Sequence, residues 1–99
     1  MTTLRMIAKN AGGTEILNCT LSHLPMNETA ILARTKELYG PHKCCLTRRT
    51  AVETALKEEL RIFAMEQMGK EIPFSALPDH LIPFIRGGNE FVTVRFFGL

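Results

Sequence analysis

Apolar and polar positions alternate at both ends of this chain, and recur at helical spacing through its middle. Between Thr2 and Lys9, Leu4, Met6 and Ala8 fall on one side of an extended segment, with Thr3, Arg5, Ile7 and Lys9 on the other. Asn10-Ala11-Gly12-Gly13 follows, a turn in which glycine accepts the positive φ of a tight hairpin. Thr14 to Ser22 alternates again, with Leu17, Cys19 and Leu21 opposite Asn18, Thr20 and Ser22, and Pro25 ends it. The two segments read as a β-hairpin. Asn27 then caps a helix that runs to Tyr39 with Ile31, Leu32, Thr35, Leu38 and Tyr39 on its apolar face, and Gly40-Pro41 stops it.

Lys43 to Thr47 reads as a short third strand. Thr50 and Glu53 have the spacing of a capping box, in which each side chain accepts from the other residue's amide. Behind it Val52, Ala55, Leu56, Leu60, Phe63, Ala64 and Met68 recur at helical spacing, so a second helix is expected over 50–68, ended by Gly69. Ile62 and Met65 widen its apolar stripe, which therefore needs a large surface to cover it. Pro73, Pro78 and Pro83 break residues 72–86 into short pieces, with a helical turn or two over 79–85. Gly87-Gly88-Asn89 is a tight turn, and Glu90 to Phe97 closes the chain as a strand. In that strand Val92, Val94 and Phe96 face away from Phe91, Thr93, Arg95 and Phe97.

The expected fold is a single α+β domain over residues 1–99, with the order ββαβαβ and a four-stranded mixed sheet carrying two helices. This layout resembles the β-grasp architecture of ubiquitin-like domains: hairpin, helix, strand, and a last strand reached through an irregular turn. The resemblance rests on order and spacing and covers about three quarters of the chain. It implies that the helix 50–68 is an insertion, and the chain ends Phe97-Gly98-Leu99 in place of the Gly-Gly tail of conjugated modifiers. A different sheet order with both helices on one face is the competing arrangement.

Composition narrows the function classes. At 99 residues the chain can bury a core without staples, and 45% hydrophobic with 22% charged residues excludes a disordered polyampholyte. No apolar run approaches the ~18 residues of a membrane span, and the N-terminus lacks the apolar core of a signal peptide, so no membrane partner is expected. Three cysteines, two of them adjacent, argue against a disulfide framework and for a reducing, cytoplasmic setting. Cys19, His23, His42, Cys44 and Cys45 lack the C-x₂₋₄-C pairs of structural zinc sites, so no metal or other cofactor is expected. Both Gly-Gly pairs lead into strands instead of a helix N-terminus, which rules them out as phosphate loops.

The net charge of +2 is unevenly spread. Residues 1–14 and 42–49 hold Arg5, Lys9, Lys43, Arg48 and Arg49 with no acid, whereas 50–71 is net negative. Everything then turns on where the second helix lies. If it covers the sheet side bearing Ile7, Cys45, Phe91 and Phe97, those residues are core. If it lies beside the first helix, Ile7, Phe91, Arg95 and Phe97 form an open patch rimmed by Arg5, Lys9 and Lys43, a surface for another protein or for self-association. The last strand, rich in Val and Phe, would pair edge to edge with another copy if it lay at the margin.

The expected function is therefore a small non-enzymatic protein-binding module, such as an adaptor, inhibitor or regulatory subunit of the kind common among viral and mobile-element accessory proteins. The alternative is a nucleic-acid-binding protein using Arg5, Lys9, Lys43, Arg48, Arg49 and Arg95, with the phenylalanines as stacking platforms. Third is a cysteine-dependent enzyme, in which Cys45 would be activated by His42 or Arg48.

Overall fold

The computed structural model describes residues 3–40 and 46–98. Four strands and two helices make an α+β fold: β1 (Leu4–Lys9), β2 (Glu15–Thr20), α1 (Glu28–Tyr39), α2 (Leu46–Glu66), β3 (Glu71–Pro73) and β4 (Thr93–Gly98). The sheet order is β2-β1-β4-β3, and every pairing is antiparallel. The sheet is thus antiparallel and not mixed. The described elements run ββααββ.

Of the β-grasp layout, the hairpin followed by a helix is present. The strand expected at 43–47 is not formed at Leu46 and Thr47, which are helical, and residues 43–45 lie outside the described residues.

Alternation dictates the hairpin, and the burial of β1 follows it strictly, with Leu4, Met6 and Ala8 buried and Arg5, Ile7 and Lys9 partly exposed. β2 joins β1 in register Met6↔Cys19 and Ala8↔Leu17, with a bulge at Ile16 that brings Glu15 opposite Lys9. The bulge puts Glu15 on the same face as Asn18 and Thr20. On β4 it is Val94 and Phe96 that are buried, beside Met6 and Ala8. One face of the sheet is therefore core.

That face is covered by α2. Val52, Leu56, Leu60 and Ala64 form its buried stripe, and Phe63 meets Phe96 edge to face with ring centroids 6.0 Å apart. The stripe is narrower than the sequence pattern suggests, because Ile62 and Met65 are each 51% exposed. α1 packs on α2 and on the 3₁₀ turn at Ile82–Phe84, sealing the core with Ile31 and Thr35. The buried Thr35 hydroxyl donates to the Ile31 carbonyl at 2.8 Å, which satisfies its polar group. Both helices therefore belong to the same side of the sheet. The C-terminal end of α2 is tied to it by the Gly69 amide, which donates to the Phe96 carbonyl at 2.8 Å.

Two helix starts behave differently from one another. Asn27 is the N-cap of α1, its Oδ1 accepting from the Ala30 amide at 3.1 Å. Thr50 caps nothing, because α2 is already helical from Leu46, and Glu53 turns to Lys57 at 3.2 Å instead. The reason is tertiary. Arg48 and Arg49 so early in a helix oppose its dipole, which disfavours cations at the N-terminal end. Here the Arg48 guanidinium lies 5.0 Å over the Tyr39 ring, and Arg49 Nη2 is 4.0 Å from Glu28. The Tyr39 ring of α1 thus holds one of the cations that sequence-local rules would place outside the helix, and Glu28 stands at longer range from the other. Asn27→Ala should accordingly cost about 1 kcal/mol, whereas exposed Thr50→Ala should leave the stability unchanged or raise it by a few tenths of a kcal/mol. Urea titrations of the two variants measure this difference.

Residues 71–91 hold the remaining departures. Glu71–Pro73 forms a real strand against β4, since proline is tolerated on a sheet edge where its missing amide would face solvent. At the other end β4 starts at Thr93, not Glu90. Gly87, with φ +77°, leads into a 3₁₀ turn at Gly88–Glu90, and this turn carries Phe91 into the core. Phe91 packs edge to face on Phe74 with centroids 5.3 Å apart. A Cβ on Gly88 would stand 2.8 Å from Phe74 Cζ, so this close approach requires glycine.

Candidate functional site: the open sheet face

The face opposite the helices is built by the strand positions that alternate with the core. Pairing arranges it in three rows: Phe97, Arg5 and Thr20; Glu71, Arg95, Ile7 and Asn18; Pro73, Thr93, Lys9 and Glu15. Each row holds one cation, and the two acids sit at the outer strands. Ile7 is central, with Arg95 across from it on β4 and Asn18 across from it on β2. Phe97 and Ile7 are half-buried, while Arg95 is exposed. A shallow hollow of about 130 Å³ lies among Ile7, Lys9, Glu15, Glu71, Thr93 and Arg95.

Hydrogen bonds hold part of this surface in place. Arg5 Nη1 donates to Asn18 Oδ1 at 2.7 Å, and Asn18 Nδ2 donates to Glu15 Oε1 at 2.6 Å, a polar chain across β1 and β2. Arg95 Nη2 donates to the Gly69 carbonyl at 3.2 Å. Two guanidinium groups are thus oriented by neutral acceptors, which leaves their charge uncancelled. Such a face offers a small apolar centre with fixed cations around it.

Of the four residues expected in the open patch, Ile7, Arg95 and Phe97 come together, each on a strand position that faces away from the helices. Phe91 does not join them. The alternation of β4 does not reach back to it: the pleat begins only at Thr93, and the preceding 3₁₀ turn points Phe91 at Phe74. β4 is also an interior strand, with β1 on one side and β3 covering Thr93–Arg95 on the other, so that part of it has no free edge for pairing with a second copy. Among the described residues the edges are β2, with six residues, and the three-residue β3.

The basic residues grouped for nucleic-acid binding separate into two regions. Arg5, Lys9 and Arg95 lie on the open face, whereas Arg48 and Arg49 lie on α2 against α1. Lys43 is outside the described residues, as are His42, Cys44 and Cys45, and with them the candidate cysteine nucleophile and most of the soft ligands considered for zinc. Among the described residues no three His, Cys, Asp or Glu side chains converge as a metal site, and no helix is long and apolar enough to cross a membrane.

The titratable groups that depart from ordinary behaviour lie away from this face. Burial pushes the Cys19 thiol up, an effect only partly opposed by the Arg5 and Lys57 charges. A neutral thiol is a poor nucleophile. Iodoacetamide should therefore modify Cys19 more slowly in the native chain than in urea, as followed by peptide mass spectrometry; equal rates would contradict the burial assigned to it. On the outer side of α2, the fork-on-fork hydrogen bonds from Arg61 hold the exposed Glu58 carboxyl below the usual carboxylate range, and Glu58 in turn raises Arg61. His80 Nε2 lies 2.7 Å from Glu59 Oε2, a pairing between α2 and the 72–86 segment that no sequence spacing signals.

Comparison with known proteins adds no identity. The chain has no significant match among protein-family models, curated proteins or solved structures.

Proposed function

We propose that this chain is a non-enzymatic protein-binding module, an adaptor, inhibitor or small regulatory subunit, that acts through its open sheet face. The single observation that supports the reading most is the position of the helices. Both pack on the side of Met6, Ala8 and Phe96, so among the described residues no layer lies over Ile7, Arg95 and Phe97.

The chemistry of the partner follows from the charges. Three cations against two acids, with the cations nearer the centre, favour an acidic protein surface. Phe97 and Ile7 would supply the area buried at the centre of the contact, and Arg5 and Arg95, already oriented, would meet carboxylates at its rim. The free edge of β2 offers backbone donors and acceptors next to the same face, by which a partner strand could extend the sheet.

Affinity capture from lysate of the source cells, run with wild type, Phe97→Asp, Arg95→Glu and a control, Ile62→Asp on exposed α2, tests the reading. The expected result is a protein retained by wild type and by the control, and lost with both sheet-face variants. A partner retained by Phe97→Asp but lost with Ile62→Asp would move the interface to the helices. Nucleic acid in the eluate, released by moderate salt, would favour the alternative partner class, because phosphate contacts weaken steeply as salt rises.

A further inference from the structure

A second surface lies on the helix side of the molecule, in a groove of about 480 Å³ between the 22–26 segment, the start of α1 and the first turns of α2. We infer that this groove binds a small organic carboxylate. Its floor is apolar, with Leu24 and Ile31 buried and Met26 half-buried, and Leu46 is 75% exposed at the rim. Its polar lining is mostly cationic or hydroxylic, and the charges resolve one by one.

Lys57 is already occupied. Its ammonium donates to the Ser22 carbonyl at 3.0 Å and pairs with Glu53 at 3.2 Å, which cancels that acid as well. The remaining charges are Arg49, Arg86 and Glu28. The Nε edge of Arg49 is sealed from solvent and finds no acceptor among the described residues. Its nearest acid, Glu28, stands 4.0 Å from Nη2 with a side chain 88% exposed. Arg86 is exposed and makes no ion pair among the described residues; the backbone bond from its amide to the Pro25 carbonyl places it at the groove.

Over the described residues the groove therefore keeps a net charge near +1, with one guanidinium half-withdrawn from water and incompletely neutralised. Such a group is attractive to an anion because low local dielectric strengthens the pairing. A carboxylate matches the planar donor pair that a guanidinium presents, and a monoanion matches the residual charge, where Glu28 would repel a dianion. The volume lies within the range of small-molecule sites, and the apolar floor with Leu46 at the rim suits a small hydrocarbon or aromatic body attached to the acid.

Benzoate is a suitable probe, followed by amide chemical shifts of the full chain, with benzamide as its uncharged counterpart. Saturable shifts confined to residues 22–28, 46–57 and 86 are expected with benzoate and not with benzamide. Affinity should fall about tenfold in Arg49→Gln and in Arg86→Gln, and stay unchanged in Arg34→Gln, whose guanidinium pairs with Glu37 on the outside of α1. Arg86 makes no ion pair among the described residues, so its variant keeps the test decisive even if Arg49→Gln loosens the helix contact. Equal binding of benzamide, or the absence of saturation up to about 20 mM benzoate, would overturn the assignment. So would inorganic phosphate binding in place of benzoate. Binding of a blocked Gly-Glu-Gly peptide where benzoate fails would overturn it too, by showing that the groove reads protein side chains. None of these outcomes depends on the sheet face.

Discussion

Phe96→Ala is expected to destabilise the fold by about 3–5 kcal/mol, the usual cost of truncating a fully buried aromatic. Phe96 has no exposed surface, sits on an interior strand, and carries the edge-to-face contact with Phe63 by which α2 meets the sheet. The substitution removes that contact, worth roughly 0.5–1.5 kcal/mol of the total, and leaves a void between two layers that pairing to β1 on one side and the Gly69 amide on the other keep from closing. Its backbone carbonyl also anchors the Gly69 amide, so a shift of β4 would disturb the end of α2. For a domain of this size the melting temperature should fall on the order of 20 °C. Calorimetry or thermal circular dichroism reads this directly. A shift of only a few degrees would mean that α2 does not depend on Phe96 for its seat on the sheet.

One residue further along, Phe97→Asp should do nearly the opposite. Strand alternation turns position 97 to the open face, opposite Arg5 on β1, so the new carboxylate would remain hydrated and next to a cation. The expected loss of stability is no more than about 1 kcal/mol, chiefly from the poor strand propensity of aspartate. Association with the proposed acidic partner should be abolished, because the change removes apolar area from the centre of the contact and adds a like charge there. Size-exclusion chromatography and melting curves on the two variants separate the faces cleanly. Phe96→Ala should lose the fold, and Phe97→Asp only the partner. A Phe97→Asp protein that melts as early as Phe96→Ala would show that the open face is covered, and the proposed interface would have to be abandoned.

The groove and the sheet face differ in how they could have been found. Ile7, Arg95 and Phe97 share a face by period-two alternation alone, and the sequence shows that alternation over Thr2–Lys9 and Thr93–Phe97. The groove draws Arg49 and Arg86 together from positions far apart in the chain, and no spacing rule links them. Its signal is the buried guanidinium edge, visible only once α1 and α2 are packed.

Local chemistry determined the hairpin, α1 with its Asn27 cap, the body of α2, and the side to which each residue of β1 and β4 points. These depend on backbone periodicity, turn glycines and a cap, all of which act within a few residues. Tertiary structure decided the rest. It started α2 before its basic pair, where the Tyr39 ring of α1 receives the Arg48 cation that the helix dipole disfavours. It made a strand of Glu71–Pro73, because an edge position asks no amide of the proline. It drew Phe91 inward against Phe74, because a 3₁₀ turn breaks the pleat before β4 begins. It also decided the question that matters most for function: α1 and α2 pack together on one side of an antiparallel sheet. An apolar stripe on a helix fixes only that it must be buried, and the sheet face that buries it is chosen by contacts between residues distant in the chain.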